Sequence, residues 1–164
     1  MVMKKLNFLL SLGLGINILL TSCQPKVDIE KEKTAIIKVL NEEGEVFIAN
    51  DMKRLSALHV QDELDTRLEV TKIYSGWSEI EKLYQSYIER NKLDTISKNV
   101  KNLKENIILK VTGNTAWLIC NNIWKWEVKS EPNRDENIQI AFFEKINGEW
   151  KFSFNAFVLK PKPE

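Results

Sequence analysis

The sequence predicts a single α+β domain, in which most of the helices come first and an antiparallel sheet follows from residue 106 onward. Residues 28–50 place apolar side chains at helical spacing, as an amphipathic helix does. From residue 106 onward, apolar and polar residues alternate between turn pairs, most clearly Asn147-Gly148, a strong signal for a hairpin. No internal repeat or second domain boundary interrupts the chain, and its 164 residues suffice for one core.

The N-terminal segment predicts an exported, lipid-anchored protein. Lys4 and Lys5 precede an apolar run at residues 6–20, which is the length of a signal peptide. The run closes on Leu20-Thr21-Ser22-Cys23, which resembles the lipobox of bacterial lipoproteins. We therefore expect residues 1–22 to be removed, Cys23 to carry lipid, and residues 23–28 to form a tether. The alternative is an uncleaved anchor with an incidental cysteine.

The expected location is the cell envelope, and Gln24 after the cysteine favours the outer membrane. The full chain has 24 basic and 23 acidic side chains. Residues 1–22 contain Lys4 and Lys5 but no acidic residue, so their removal leaves a net charge of −1. Binding to nucleic acid phosphates normally needs a basic excess, so we expect no nucleic acid partner.

If Cys23 carries lipid, Cys120 has no cysteine to pair with, and its apolar neighbours indicate a buried thiol rather than a nucleophile.

The first half of the mature chain predicts three helices and one strand. Gly44 lies inside the first helix, where glycine costs up to about 1 kcal/mol, so we expect close packing there. Ser78 and Glu81 have the spacing of a capping box for the third helix. Lys92, Lys98, Lys101 and Lys104 are interpreted as a solvated stretch before a strand. The expected elements are helices at 28–50 and 52–58, a half-buried strand at 64–74, and a third helix from residue 77.

The second half predicts four strands and three turns. Gly113-Asn114 and Asn147-Gly148 are two-residue turns, whereas residues 130–137, which include Pro132, predict a looser loop. Residues 160–164 contain two prolines and are expected to fray. The expected strands lie at 107–112, 116–129, 138–146 and 150–160.

Three short motifs resemble a known fold. They are Gly76-Trp77 with Ile80 at the start of the third helix, residues 112–117 across one hairpin, and residues 144–151 across the last hairpin. Their order and spacing are similar to those of the nuclear transport factor 2-like (NTF2-like) fold and its SnoaL-like branch, over residues 29–159. The resemblance implies a cone, in which a curved antiparallel sheet wraps around the helices and leaves a pocket at its open end. The fold hosts isomerases, dehydratases, hydrolases and non-catalytic binders, so it implies no single function.

Candidate catalytic residues are few. Many members of the family carry histidines on the final strand, where this sequence has Phe154 and Ala156. His59 could act as a general base if it reached a pocket, or be a surface or capping residue. Asp62, Glu63 and Asp65 could supply a buried carboxylate of raised pKa, or form a solvated cluster. One histidine and one free cysteine make no metal-ligand set, and we expect no metal or cofactor.

Aromatic side chains predict the rest of the site. Alternation along residues 116–129 places Leu118, Cys120 and Val128 on one face. If that face is concave, it lines a mostly apolar pocket for a small hydrophobic ligand, and otherwise it fills a core. The candidate lining residues are Tyr84, Tyr87, Asn122, Trp124, Trp126, Phe142 and Phe154.

The opposite face of the sheet is also apolar. Its expected members are Trp117, Ile119, Ile123, Phe143, Phe157 and Leu159. Monomers rarely expose so large an apolar surface, so either a partner or a second copy covers it, and we expect a homodimer through this face.

Together these features predict a lipid-anchored binding or accessory protein without catalysis. The alternative is an enzyme of the isomerase, dehydratase or hydrolase kind that uses a pocket carboxylate or His59. A third interpretation is an accessory lipoprotein whose groove accepts a protein segment.

Overall fold

A computed structural model describes residues 28–160, which form three helices and six strands. The predicted signal peptide, Cys23, most of the tether and residues 161–164 lie outside the described residues. The elements are α1 (Ile29–Ile48), α2 (Met52–Ala57), β1 (Thr66–Glu69), β2 (Lys72–Ser75), α3 (Trp77–Leu93), β3 (Lys98–Thr112), β4 (Thr115–Val128), β5 (Glu131–Ile146) and β6 (Glu149–Leu159).

All six strands form one curved sheet in the order β2-β1-β6-β5-β4-β3, and the predicted α+β cone is confirmed. The four long strands are antiparallel neighbours along the chain, because tight turns connect them. β1 pairs with β6 in parallel, since the chain reaches it from the helices rather than through a hairpin. None of the helices in residues 28–160 is long and apolar enough to span a bilayer.

Helix α1 lies along the inner face of the sheet. Asp28 caps its first turn by accepting a hydrogen bond from the backbone N–H of Lys31 at 3.2 Å. Ile36 and Leu40 are fully buried in the core. Gly44 faces the side chain of Asn102 on β3, which confirms the predicted close packing.

Three local predictions are wrong. Residues 64–74 are a β1–β2 hairpin rather than one strand, because Val70 and Thr71 make a turn without glycine, proline, asparagine or aspartate to signal it. The 130–137 loop is strand, with the turn at Lys129 and Ser130, whose φ angles are 52° and 68°. Helix α3 begins at Trp77 after Gly76, and no side chain caps it, so the capping box does not form.

The sheet faces on β5 are the reverse of those predicted. Phe142 pairs with Trp117 on β4 and packs edge-to-face on Phe154 at 5.6 Å, on the outer face. Phe143 is 1% exposed and packs on Phe152 in the core. A one-residue change of register moves every side chain to the other face, and a bulge beside Phe142 and Phe143 shifts the β5–β6 register.

Candidate functional site

A cavity of about 510 Å³ opens between α1, α3 and the inner face of the sheet. Aromatic side chains make much of its wall: Phe47, Tyr84, Tyr87, Trp124 and Phe157. Polar side chains, which we call the polar floor, complete it: Glu43, Arg67, Lys104, Asn122 and Asn137.

Glu43 projects from α1 into the floor, where both of its carboxylate oxygens accept hydrogen bonds. Asn155 donates to Oε1 at 2.7 Å and Gln139 donates to Oε2 at 2.9 Å. Burial alone would raise the pKa of this carboxyl, but the charges of Lys104 and Arg67 and the Gln139 hydrogen bond hold it below its ordinary value. Glu43 is therefore a carboxylate at neutral pH.

Lys104 is the cation opposite Glu43, and its side chain is only 3% exposed. Its ammonium donates to Asn122 Oδ1 at 2.8 Å and to Gln139 Oε1 at 2.6 Å, and lies 3.9 Å from Glu43 Oε2. Burial lowers the pKa of Lys104, and the charge of Glu43 opposes that effect. The prediction of a solvated lysine stretch is wrong here, because β3 begins at Lys98 and carries Lys104 onto the inner face.

The Arg67 guanidinium is held between two rings, 4.6 Å from the centroid of Tyr84 and 4.5 Å from that of Phe157. Its Nε donates to Glu69 Oε1 at 2.6 Å and its Nη1 donates to the Tyr84 hydroxyl at 2.5 Å. Arg67 is only 6% exposed, so the polar side of β1 is the side that faces the core.

His59 and Asp65 lie behind the cavity wall. His59 Nδ1 is 3.1 Å from Asp65 Oδ2, and Nε2 is 3.0 Å from the Tyr84 hydroxyl. The imidazole also stacks on Phe152, with 5.4 Å between ring centroids. Neither His59 nor Asp65 borders the cavity, but Tyr84 connects both to it. Burial raises the pKa of Tyr84 well above its ordinary value, so its hydroxyl stays protonated at neutral pH.

The remaining candidates are divided between the cavity and other surfaces. Tyr84, Tyr87, Asn122 and Trp124 border the cavity. Trp126 borders a separate groove, and Asp62 lies in an exposed loop, where it accepts hydrogen bonds from the backbone N–H groups of Leu64 and Asp65. The placement of Phe142 and Phe154 in the pocket is wrong, since both lie on the outer face. The predictions that placed Phe143 and Phe157 on the outer face are also wrong, because both side chains lie on the inner face.

Sequence reasoning missed Glu43, Arg67 and Lys104. Glu43 lies three residues after Leu40, on the apolar stripe of α1, so its position in the sequence could have indicated a buried carboxylate. Arg67 and Lys104 had no such signal, because a charged residue in a strand ordinarily indicates the solvent face.

Cys120 is 2% exposed, and burial raises the pKa of its thiol to about 11. It is therefore a protonated packing residue on the inner face. Residues 28–160 contain no group of three or more His, Cys, Asp or Glu side chains placed to hold a metal ion.

Comparison with solved structures shows the NTF2-like fold. An NTF2-like protein with a cystatin-like fold from Novosphingobium aromaticivorans matches with a TM-score of 0.67 and 15% identity, over 82% of this chain and 85% of that one. A candidate dehydratase of the NTF2-like family from Streptomyces avermitilis matches with a TM-score of 0.68 and 12% identity, over 81% and 99%. A candidate scytalone dehydratase from N. aromaticivorans matches with a TM-score of 0.64 and 17% identity, over 78% of this chain and 83% of that one. No protein-family model and no curated protein matches the sequence.

Proposed function

We propose that this protein binds a small molecule in the cavity without chemically changing it, and that it does so as a lipid-anchored protein of the cell envelope. The observation that carries the proposal is the state of Glu43, the one carboxylate in the polar floor. Both of its oxygens are engaged and its pKa is lowered. A general base works best with a pKa near the working pH, so a carboxylate whose pKa is lowered and whose oxygens already accept hydrogen bonds is poorly suited to that role.

The cavity itself supports binding. Its volume of about 510 Å³ lies in the range of small-molecule sites. Phe47 contacts Tyr87 and Trp124 edge-to-face, with ring centroids 6.1 and 5.7 Å apart, so the rings of the aromatic wall hold one another in place. The floor is likewise held by its own hydrogen bonds. A preorganised wall and floor reduce the entropy cost of binding.

The direction of α1 bears on how the cavity would face a membrane. Its first turn contacts the β5–β6 turn, where Glu32 accepts hydrogen bonds from Lys145 and Trp150, both at 2.6 Å. Phe47, in its last turn, borders the cavity about 22 Å further along the helix. A tether from Cys23 would join the domain at the end remote from the cavity, so a ligand would arrive from water rather than from the bilayer.

The binding proposal is tested with the neutral fluorophore N-phenyl-1-naphthylamine, which brightens in apolar surroundings. We expect one equivalent to bind, and Asn137→Trp, which fills the cavity, to weaken binding at least about tenfold. Asn133→Trp, in the separate groove on the same strand, is the matched control and should bind normally. Equal binding by both variants would place the fluorophore outside the cavity.

The anchor is tested by Cys23→Ser in the full-length chain. Only a thiol accepts the diacylglyceryl group, so the variant should leave the membrane fraction or remain uncleaved. Identical fractionation and electrophoretic migration of the variant and the wild type would refute lipidation.

A second candidate function is acid–base catalysis through Tyr84. The Asp65–His59–Tyr84 chain favours it, because it links a buried histidine to a hydroxyl on the cavity wall. An isomerase, dehydratase or hydrolase acting this way should lose about 10²–10⁴-fold in rate on Tyr84→Phe while still binding its ligand. Unchanged ligand after prolonged incubation with the wild-type protein would instead support binding alone.

A further inference from the structure

Three cationic side chains form a row across neighbouring strands, near the end of the sheet where β4 turns into β5. Lys101 on β3 pairs with Lys125 on β4, and Lys125 pairs with Arg134 on β5. Directly paired residues share one face of a sheet, with Cβ atoms about 4.5–5.5 Å apart. Trp124 borders the cavity on the inner face, so its neighbour Lys125 and the whole row lie on the outer face.

The row is electrostatically costly to the protein. Like charges placed directly opposite each other destabilise a sheet, and Lys125 has a cation on both sides. Arg134 is compensated by Glu136, whose Oε2 accepts a hydrogen bond from Nη2 at 2.8 Å. Neither Lys101 nor Lys125 forms an ion pair within residues 28–160. Two adjacent ammonium groups are therefore left without a counter-charge from the described part of the chain.

The row lines a groove of about 600 Å³. Among the described residues, Glu127 is the carboxylate that borders this groove. It accepts a hydrogen bond from Asn99 Nδ2 at 2.8 Å and pairs in register with Lys98. Because Lys98 lies opposite Glu127, the charges of Lys101 and Lys125 remain, and the groove has a net positive charge. The other residues that border it are Asn99, Trp126, Pro132 and Asn133.

The groove is separate from the cavity and from the centre of the predicted dimer face. None of the described residues borders both the cavity and the groove. Lys125 lies six residues along β4 from Ile119, which is about 20 Å in a strand. A ligand of the groove is therefore distinct from a ligand of the cavity.

We propose that this groove binds the phosphate group of a phosphomonoester. Such a group carries about −1.5 to −2 charges at pH 7 and has three strong acceptor oxygens, which match two adjacent ammonium groups. A carboxylate or a sulfate ester carries one negative charge and would leave one lysine unmatched. The groove is larger than a phosphate group, and its aromatic, prolyl and amide walls suit an organic body such as a sugar. The same phosphate group occurs on soluble sugar phosphates and on the headgroup of phosphatidic acid.

Glucose 6-phosphate, glucose 6-sulfate and glucose test the proposed charge match. Calorimetry at pH 7 uses the chain from residue 24 onward, because the described core lies wholly within residues 28–160. We expect the phosphate to bind about fivefold or more tightly than the sulfate, and glucose not to bind measurably. Equal affinities for the phosphate and the sulfate would overturn the match between a dianion and two lysines.

The double variant Lys101→Gln/Lys125→Gln tests the residues. It should weaken binding of glucose 6-phosphate at least about tenfold. Its midpoint in urea should not fall, because the variant removes like-charge repulsion from the sheet. Lys53→Gln/Lys110→Gln makes the same change of net charge at exposed positions outside the groove and should bind normally. Equal binding by the two double variants, or a fall in the urea midpoint of the first, would overturn the assignment of the row to ligand binding.

Vesicles distinguish the two sources of the phosphate group. Phosphatidylcholine vesicles with and without phosphatidic acid are sedimented with the same chain, which lacks the lipid anchor. Sedimentation only with phosphatidic acid, lost in Lys101→Gln/Lys125→Gln, would support the site and assign it to a lipid headgroup. Binding of glucose 6-phosphate without sedimentation would support it and assign it to a soluble ester. If neither glucose 6-phosphate nor the phosphatidic acid vesicles bind, the proposal is wrong.

Discussion

The backbone of Gly44 on α1 lies directly against the side chain of Asn102 on β3. A Cβ at position 44 would clash with Asn102 Oδ1 and would lie 2.8 Å from Asn102 Cβ. Asn102 in turn donates to Asn122 in the polar floor. This close approach of helix and sheet therefore also supports the cavity.

Gly44→Ala should destabilise the domain by about 1–3 kcal/mol, because the clash with Asn102 outweighs the gain of about 1 kcal/mol in helix propensity. Urea denaturation measures the change. The double variant Gly44→Ala/Asn102→Ala removes the clash and should recover much of the loss relative to Asn102→Ala alone. Equal effects of Gly44→Ala in both backgrounds would mean that the two residues do not interact.

Glu43→Gln should destabilise the domain by about 3 kcal/mol at pH 7, since Lys104 and Arg67 would lose their buried counter-charge. The folded pKa of Glu43 lies below its ordinary value of 4.5, so its contribution is complete above that value and is lost as pH falls through the folded pKa. Wild type and variant should therefore converge in unfolding free energy on acidification. Glu30→Gln, on the exposed face of α1, is the control and should follow the wild-type curve.

Trp150→Ala should cost about 3–5 kcal/mol, because the indole is 4% exposed and donates to Glu32. Phe142→Ala removes an aromatic side chain that is 47% exposed on the outer face, and should cost about 1 kcal/mol or less. Chemical denaturation of both variants tests which face of the β5–β6 hairpin is buried. A larger loss for Phe142→Ala would reverse the assignment.

We also predict a two-fold homodimer through the outer face of the sheet, with a corrected set of residues. Ile119 and Phe142 are 36% and 47% exposed there, whereas Ile123 is buried, and Phe143 and Phe157 are on the inner face. Ile119→Lys combined with Phe142→Glu should give folded monomers, because pairing would bury unmatched charges. Phe143→Glu should instead prevent folding.

Light scattering at micromolar concentration decides the assembly. A wild-type monomer would refute the homodimer and leave the outer face for another partner. Circular dichroism confirms that the double variant remains folded.

Much of the fold was predictable because local chemistry specifies it. Asn147 and Gly148 adopt the positive φ angles that such a turn requires, 52° and 86°. The helical stripe of α1 follows from the spacing of Ile36 and Leu40. The side of each strand that faces the core was less predictable, since it depends on register across the sheet. The predicted faces of Phe142 and Phe143 were reversed for that reason.

The sequence by itself determined the α+β class, the order of the three helices and of the four long strands, the tight turns at residues 113–114 and 147–148, and the close approach at Gly44, because each follows from short-range spacing or backbone freedom. Only the tertiary structure decided that the cavity is charged rather than simply apolar. Glu43, Arg67 and Lys104 come from three elements that are distant along the chain. The free-energy cost of burying each charge is offset only when all three side chains lie together. That balance of charges is a property of the assembled sheet and helix, and no segment of the chain carries it alone.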